Sequence, residues 1–150
     1  MGKAKYIIIV CIVIAIGAGI GIGYRFIEKF DDTKNMQAIY LINALDLIKE
    51  FQKNDSIANI KYAEKIITVT GLVTEVENSN YTANIKMGDT VSGSYVIFAF
   101  QDKNLSEVKR IKTGNKIAIK GSCSGGAYSK IWAAEFITFK RCILDNKESK

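Results

Sequence analysis

The chain has 150 residues and contains neither histidine nor proline. Histidine is the commonest general base and the commonest metal ligand in proteins, so its absence removes the usual routes to acid–base and zinc chemistry. Acidic residues remain, but Asp89, Asp102 and Glu135 are too scattered to form a recognisable acid–base pair. We therefore predict a protein that is not an enzyme and that uses no metal and no other cofactor.

Cysteine is also scarce, with only Cys11, Cys123 and Cys142. No Cys-x-x-Cys pattern of a zinc site occurs. Cys11 lies inside a hydrophobic segment, where a cysteine acts as a small apolar residue. The strands predicted below place Cys123 and Cys142 near opposite ends of a hairpin, so we predict that they do not form a disulfide.

The longest uncharged stretch runs from Tyr6 to Tyr24 and has 19 residues. As a helix it would span about 28 Å at ~1.5 Å per residue, close to the ~30 Å hydrocarbon core of a bilayer. Tyr6 and Tyr24 lie where aromatic residues meet the two membrane interfaces. The stretch has no small-residue cleavage site, and Val10 before Cys11 does not fit a lipoprotein signal. The sequence predicts an uncleaved transmembrane anchor over residues 1–24 and a charged juxtamembrane linker over residues 25–34.

The flanking charges bear on the orientation of this anchor. Lys3 and Lys5 favour a cytoplasmic amino terminus, whereas Arg25, Lys29 and Lys34 oppose it. We predict a single-pass membrane protein with its C-terminal domain outside the cytoplasm.

Small residues recur in the second half of the predicted anchor. Gly17 and Gly21 form a G-x-x-x-G pair, which overlaps a second pair formed by Gly19 and Gly23. Such pairs allow close packing of membrane helices. Association into a homodimer is therefore one alternative for this segment; the other is that the glycines reflect only the common use of glycine in membrane helices.

Apolar residues at spacings of three predict an amphipathic helix over Asn35–Lys53. They are Met36, Ile39, Ile42, Leu45, Ile48 and Phe51. Its apolar face is expected to pack on the following domain, with binding to a membrane surface or a partner as the alternative. Asn54 is expected to end this helix in a left-handed conformation, and Asp55 or Ser56 to cap a short second helix. Residues 35–62 are thus predicted to be helical.

A long strand is predicted over Ile66–Glu77. Val69, Gly71 and Val73 share one face of it, two residues apart. The alternation slips by one residue at Val76, which is typical of a bulge. A glycine in mid-strand suits a bend at a barrel corner. We therefore predict a strand that bends around a small closed barrel.

The rest of the chain supplies four further strands, a short helix and a glycine-rich loop. Predicted are strands over Tyr81–Met87 and Tyr95–Phe100, a short helix over Asn104–Ile111, a strand over Lys116–Cys123, a glycine-rich loop over Ser124–Ser129 and a last strand over Ile131–Leu144. The predicted fold class is mainly β with helices (α+β), with a five-stranded barrel over residues 63–144. The short helix lies between strands three and four, and residues 145–150 form a polar tail.

Three strands, a helix and two strands, in this order, resemble an OB-fold. The residues of the first half that carry a closer resemblance are Leu47, Phe51, Asn54, Ala58, Lys61, Tyr62, Lys65, Ile66, Val69, Thr70, Gly71 and Val73. Those of the second half are Gly114, Ile117, Ile119, Gly121, Cys123, Gly125, Ile137, Phe139, Cys142 and Leu144. From Asp46 to Leu144 the chain resembles the tRNA_anti-like family of bacterial OB-fold proteins. This resemblance implies a barrel preceded by a helix, often behind a membrane anchor or a lipoprotein signal.

OB-folds bind ligands along strands two and three and in the loops that join strands one to two and four to five. In this sequence the predicted ligand-binding residues are Tyr81, Lys86, Tyr95, Tyr128, Lys130 and Trp132. Tyrosines interleaved with lysines suit a peptide, a glycan or a nucleic acid. The first hypothesis is a membrane-anchored binding module, without catalysis, for a peptide, protein or glycan of the cell envelope.

Two alternatives stay open. From Lys61 to Leu144 there are twelve Lys and Arg against seven Asp and Glu, a net charge of +5. A basic domain with exposed aromatic residues is compatible with single-stranded nucleic acid. The protein could instead be a structural or assembly partner in the envelope, in which case the anchor and the helix over Asn35–Lys53 matter more than the barrel face.

Overall fold

The computed structural model describes residues 33–101 and 105–146, and this part of the chain is mainly β. The predicted anchor over residues 1–24 and most of the predicted linker lie outside the described residues. Within the described residues, no helix is both long enough and apolar enough to span a bilayer.

Seven strands and three helices follow one another along the described chain. In order they are β1 (Tyr40–Asn43), α1 (Ala44–Lys53), α2 (Asp55–Tyr62), β2 (Ile66–Leu72), β3 (Glu75–Asn78), β4 (Thr82–Gly88), β5 (Tyr95–Gln101), α3 (Leu105–Val108), β6 (Lys116–Ser129) and β7 (Ala134–Leu144). The strands form a single sheet in the order β1-β2-β6-β7-β5-β4-β3.

β2 and β3 are the two halves of one bent strand, and the bend closes the sheet into a barrel. The N–H of Val73 donates to the carbonyl of Asn115, next to β6, over 2.9 Å. The N–H of the following residue, Thr74, donates to the carbonyl of Lys86 on β4, also over 2.9 Å. The chain therefore changes its hydrogen-bonding neighbour from one edge of the sheet to the other, and the predicted bent strand is confirmed.

Gly71 lies in this strand for a reason of packing. A Cβ at Gly71 would lie 2.9 Å from Sδ of Met87 and 3.0 Å from Cβ of Ala44. The absence of a side chain lets the start of α1 and strand β4 approach β2 closely, which is one of the uses of glycine in strands.

β1 was not predicted, and the predictions of five strands and of a helix over residues 35–43 are wrong. Tyr40 and Ile42 pack against the core, whereas Leu41 is exposed, which is the period of two of a strand. β1 pairs in parallel with β2, from Tyr40 beside Ile67 to Asn43 beside Thr70. The apolar spacing of three over this stretch was therefore misleading.

Two asparagines set the helix boundaries. Asn43 ends β1 and caps α1, because its side chain accepts a hydrogen bond of 2.9 Å from the N–H of Leu45. Asn54 caps α2 in the same way by accepting from the N–H of Ile57 over 2.9 Å. The backbone of Asn54 is extended, with φ −166°, so the predicted left-handed stop is wrong, and so is a cap at Asp55 or Ser56.

The core fills the barrel interior and the space below α1. β4 alternates as predicted and β5 alternates too, and together they bury Ala83, Ile85, Met87, Val96, Phe98 and Phe100. α1 contacts β1, β2, β4, β5, β6 and β7, so it lies across one open end of the barrel. α1 buries Leu47, Ile48 and Phe51, and α3 buries Leu105 and Val108 as its pattern predicted.

β6 is longer than predicted, since it continues through the predicted loop over Ser124–Ser129. Its glycines mark places of close contact. A Cβ at Gly126 would lie 2.7 Å from the ring of Phe51, and one at Gly121 would lie 2.8 Å from Sγ of Cys142. Cys123 and Cys142 are both buried thiols. The last strand begins at Ala134, three residues later than predicted, because residues 130–133 form the turn.

Candidate functional site

The strands predicted to bind the ligand are β4 and β5, and their outer face continues onto the neighbouring strand β7. Side chains alternate along a strand, so Lys86, Tyr95 and Phe136 point out of the barrel while their neighbours fill the core. In register, Tyr95 lies beside Gly88 of β4 on one side and beside Phe136 of β7 on the other. The rings of Tyr95 and Phe136 are 4.7 Å apart between centroids and tilted by 44°. We call these three strands' outward surface the aromatic face.

Lys86 lies at the centre of this face, and its charge is compensated. Its Nζ forms ion pairs with Glu75 Oε2 at 3.1 Å and Glu77 Oε1 at 2.6 Å. The same Nζ lies 5.3 Å from the ring centroid of Tyr95. The hydrogen bond with Glu77 raises the pKa of Lys86, and in return it lowers the pKa of Glu77. Two carboxylates around one ammonium leave this part of the face net negative.

Tyr81 lies at one end of the aromatic face. It occupies the turn between β3 and β4 and is 75% exposed. Thr82, the next residue, pairs with Gln101, whereas Tyr95 pairs with Gly88 at the other end of β4. Seven residues of extended strand measure about 20 Å. Tyr81 therefore does not contact the Lys86–Tyr95 pair and could touch only a ligand that extends along the strands.

Tyr128, Lys130 and Trp132 lie at the opposite end, near Tyr95. Tyr128 pairs with Glu135, one position from the row that contains Phe136. Lys130 and Trp132 are exposed in the turn between β6 and β7. Of the six predicted residues, the fold thus brings Lys86 and Tyr95 into contact, places three at the adjacent end and leaves Tyr81 at the far end.

Three residues on or beside the aromatic face were missed from the sequence. Phe136 lies in the stretch IWAAEFITF, whose poor alternation hid which of its residues point outwards. Glu75 and Glu77 are two residues apart on β3, where both face Lys86 across the hairpin. Their common face on the predicted strand was a signal that could have identified them.

A cleft of about 390 Å³ continues the aromatic face towards α2. Its walls include Phe136, Thr138 and Tyr128, and its floor is the backbone of Gly125 and Gly126. A smaller depression of about 170 Å³ lies at Lys86 and Tyr95. Aromatic rings and paired carboxylates can bind a ligand by stacking and hydrogen bonding.

One buried acid lies apart from this surface. Glu135 points to the inner side of β7, and only 4% of it is exposed. Its Oε2 has no hydrogen-bond partner among the described residues. Burial, and then the charge of Asp55, raises the pKa of Glu135. Across the described ranges, no group of three or more acidic or cysteine residues is placed to hold a metal ion.

Comparison with known proteins places the chain among OB-fold proteins. The model of the tRNA_anti-like family matches residues 1–133. A crystal structure from Klebsiella pneumoniae, described as a "putative nucleic acid-binding lipoprotein", has a TM-score of 0.56 at 18% identity; the match covers 78% of this chain and 98% of that one. At this identity the likeness concerns the fold alone.

Two further structures match more weakly. An OBody bound to hen egg-white lysozyme has a TM-score of 0.42 at 13% identity, covering 56% of this chain and 84% of that one. A replication factor A related protein from Methanobacterium thermoautotrophicum has a TM-score of 0.40 at 16% identity, covering 55% and 81%. These two scores are too low to bear on the fold. No curated protein sequence matches the chain significantly.

Proposed function

The chain belongs to the tRNA_anti-like family, and on this premise we propose that it is a membrane-anchored OB-fold binding module without catalytic activity. The anchor is the segment Tyr6–Tyr24, in a single-pass protein of the bacterial inner membrane. The ligand is a peptide, a protein segment or a glycan of the cell envelope, and it binds on the aromatic face.

One observation supports this ligand class above the others. Lys86, the lysine at the centre of the aromatic face, is held between Glu75 and Glu77 beside the Tyr95–Phe136 ring pair. A phosphate backbone needs cations that are available to it, and the two carboxylates would repel it. Peptides and sugars bind well to aromatic rings flanked by hydrogen-bonding carboxylates, because the rings provide apolar contact and the carboxylates accept N–H or O–H groups.

Single-stranded nucleic acid is the second candidate. Two observations favour it: the net charge of +5 from Lys61 to Leu144, and the name given to the Klebsiella protein of the same fold. Stacking of bases on Tyr95 and Phe136 would then resemble that of other OB-folds. A role as an assembly partner in the envelope is the third candidate, and it would not require the aromatic face.

Photo-crosslinking from the aromatic face tests the proposal. Ile97 lies on that face between Lys86 and Thr138, so a photoreactive amino acid at this position reports directly on a bound ligand. We expect cross-links in intact cells to a protein or glycan of the envelope, and we expect Tyr95→Ala to abolish them. The same photoreactive residue at the exposed position Lys109 is the control and should not give these products.

A second measurement addresses nucleic acid. The full chain in nanodiscs is titrated with a labelled oligothymidylate of roughly 16 nucleotides, the upper site size of an OB-fold. We expect no binding at physiological salt. Binding that weakens steeply with salt and disappears in Tyr95→Ala would contradict the proposed ligand class. Cross-links that persist in Tyr95→Ala would favour the assembly role.

A further inference from the structure

A group of exposed apolar side chains lies on the outer surface of β1, β2 and the start of α1. Ile39, Leu41, Leu45 and Leu72 are 63%, 57%, 45% and 60% exposed. Ile39 and Leu41 are two residues apart and so share one side of the β1 backbone. Single exposed leucines are ordinary, but Leu41 pairs with Thr68, four residues before Leu72, so Leu41 and Leu72 lie on the same face of the sheet. Exposed apolar side chains that share a face are typical of an interaction surface. We call these four residues the apolar patch.

A cavity deepens the apolar patch. It has a volume of about 450 Å³, and Leu45 and Leu72 both contribute to its lining. Its other walls include Ala44, Gly71 and Met87, whose close packing is described above, and Lys116 lies at its edge. The recess is thus mainly apolar and opens between the end of β1 and the end of β4.

Basic residues border the patch on one side. Lys112 and Lys116 are both exposed where the connection from α3 enters β6, and we call them the basic rim. Lys116 pairs with Leu72 in the sheet. The N–H of Gly114 donates to the carbonyl of Val73 over 2.8 Å and so fixes the connection against the bent strand. The nearest exposed acid on α1, Asp46, is paired with Lys49 at 3.6 Å.

We propose that the apolar patch and its basic rim dock on the surface of an anionic bilayer. This inference rests on the proposed function, because it requires the membrane anchor. Apolar side chains beside lysines are the composition of segments that bind at the bilayer interface. The apolar side chains enter the acyl boundary, and the lysines meet the anionic headgroups while their aliphatic stems lie along the patch.

The position of the patch in the chain supports a lipid surface over other occupants. The predicted anchor ends at Tyr24, and Thr33, the first described residue, is six residues before Ile39. The nine residues from Tyr24 to Thr33 span at most about 30 Å, so a bilayer that holds the proposed anchor is within reach of the apolar patch. Because the anchor tethers the domain to the bilayer, docking is an intramolecular event, and a weak contact between the patch and the lipid surface is then sufficient to keep the domain docked.

The chain contains a single tryptophan, Trp132, which allows a direct test. Trp132 lies in the turn beyond Ser129, at the end of β6 remote from Lys116, whereas the basic rim enters β6 at Lys116. The double variant Trp132→Phe/Leu41→Trp moves the fluorophore into the apolar patch. Both sites are exposed, so the fold is expected to survive; Leu72→Trp replaces Leu41→Trp if it does not.

The double variant and the native protein are placed as full chains in nanodiscs that contain phosphatidylglycerol and lipid brominated near the headgroup. We expect tryptophan at position 41 to lose about half of its emission, because the apolar side of a docked surface lies about 5–10 Å into the interface. Native Trp132 should keep its emission. Adding Lys112→Glu and Lys116→Glu to the double variant should restore its emission, whereas adding Lys130→Glu, at the other end of β6, should not.

Several results would overturn the inference. Unquenched tryptophan at position 41 in nanodisc-bound protein refutes docking by the patch and leaves the anchor intact. Quenching of Trp132 instead means that the domain docks through its other end, where Ile131 is also exposed. A blue shift at position 41 without bromine quenching means that a protein, such as a second copy of the chain, covers the patch. Failure of the chain to enter nanodiscs refutes the anchor of the proposed function and docking with it.

Discussion

The side-chain amide of Asn59 on α2 is paired with the backbone of Gly126 on β6 by two hydrogen bonds. Asn59 Nδ2 donates to the carbonyl of Gly126 over 2.8 Å, and the N–H of Gly126 donates to Asn59 Oδ1 over 2.9 Å. The asparagine thus acts as a substitute for a neighbouring strand at this point. The pair joins α2 to the floor of the cleft beside the aromatic face.

Replacing Asn59 should therefore destabilise the barrel. We expect Asn59→Ala to lower the free energy of unfolding by about 1–3 kcal/mol, because a partly buried N–H and carbonyl lose their partners. Urea unfolding of the full chain, followed by circular dichroism, measures the change. Asn84→Ala is the matched control, since Asn84 donates only one exposed hydrogen bond of 3.3 Å to Glu77. Equal effects of the two substitutions would contradict this account.

Gly71 should not tolerate even a methyl group. In Gly71→Ala the new Cβ overlaps with Met87 Sδ and Ala44 Cβ, and such overpacking costs about 1–3 kcal/mol, so we expect a loss of that size. Gly88→Ala is the control, because a Cβ there has no neighbour closer than 3.4 Å. Thermal unfolding compares the two variants. A stable Gly71→Ala protein would show that α1 and β4 can move apart without cost.

The ion pairs of Lys86 predict a pH dependence of stability. The pKa of Glu77 is lowered in the folded state, so its contribution is present above its unfolded pKa of about 4.3 and is lost as pH falls through the folded value. Glu77→Gln should therefore lower stability at neutral pH by at most about 1 kcal/mol, since the Glu77 side chain is 46% exposed. The difference should shrink as pH falls below about 4.3 and should vanish only below the folded pKa of Glu77, which is the lower of the two. Glu107→Gln, on the exposed side of α3, should show no such difference at either pH.

The contribution of Glu135 to the pH dependence of stability should have the opposite sign to that of Glu77. Its pKa is raised by burial and by Asp55, so the folded state loses stability as pH rises from about 4.3 through the folded pKa. We expect Glu135→Gln to raise stability at neutral pH by about 1 kcal/mol and to leave it unchanged in acid. Denaturation across this pH range measures the effect. Asp55→Asn should change stability in the same direction by less; a wild-type slope in Glu135→Gln would contradict the assignment.

The ring pair of Tyr95 and Phe136 should be energetically coupled. A double-mutant cycle of Tyr95→Ala and Phe136→Ala should give a coupling of about 0.5–1.5 kcal/mol in the free energy of unfolding. Tyr81, at the far end of β4, provides the control cycle with Tyr95, and these two substitutions should be additive. Coupling between Tyr81 and Tyr95 in the control cycle would mean that substitutions anywhere on the aromatic face affect one another's cost in stability.

The sequence by itself determined most of the barrel. Strict alternation over Tyr81–Met87 placed Ala83, Ile85 and Met87 inside, because a strand has two faces and only one of them meets the core. The phase slip after Val73 predicted the bend. These features are local, so they can be read without knowing what packs against the strand.

What the sequence could not determine depends on contacts between distant segments. Tyr40–Asn43 is a strand because β2 has an edge that it can pair with, although its apolar spacing also fits a helix. Gly125 and Gly126 lie in a strand and not in a loop. Phe51 of α1 and Asn59 of α2 contact this strand closely, which leaves no room for a side chain at the two glycines.

The candidate site shows the same division. Tyrosine and lysine in the expected strands identified Tyr95 and Lys86 from the sequence, but only the register brought Phe136 to Tyr95 and two glutamates to Lys86. The charge that the aromatic face presents to a ligand therefore could not be predicted from composition alone. Lys86, which made this face look suited to a polyanion, is compensated by Glu75 and Glu77 in the folded sheet. Sequence determined which residues point outwards, and tertiary pairing decided which of their charges are available to a ligand.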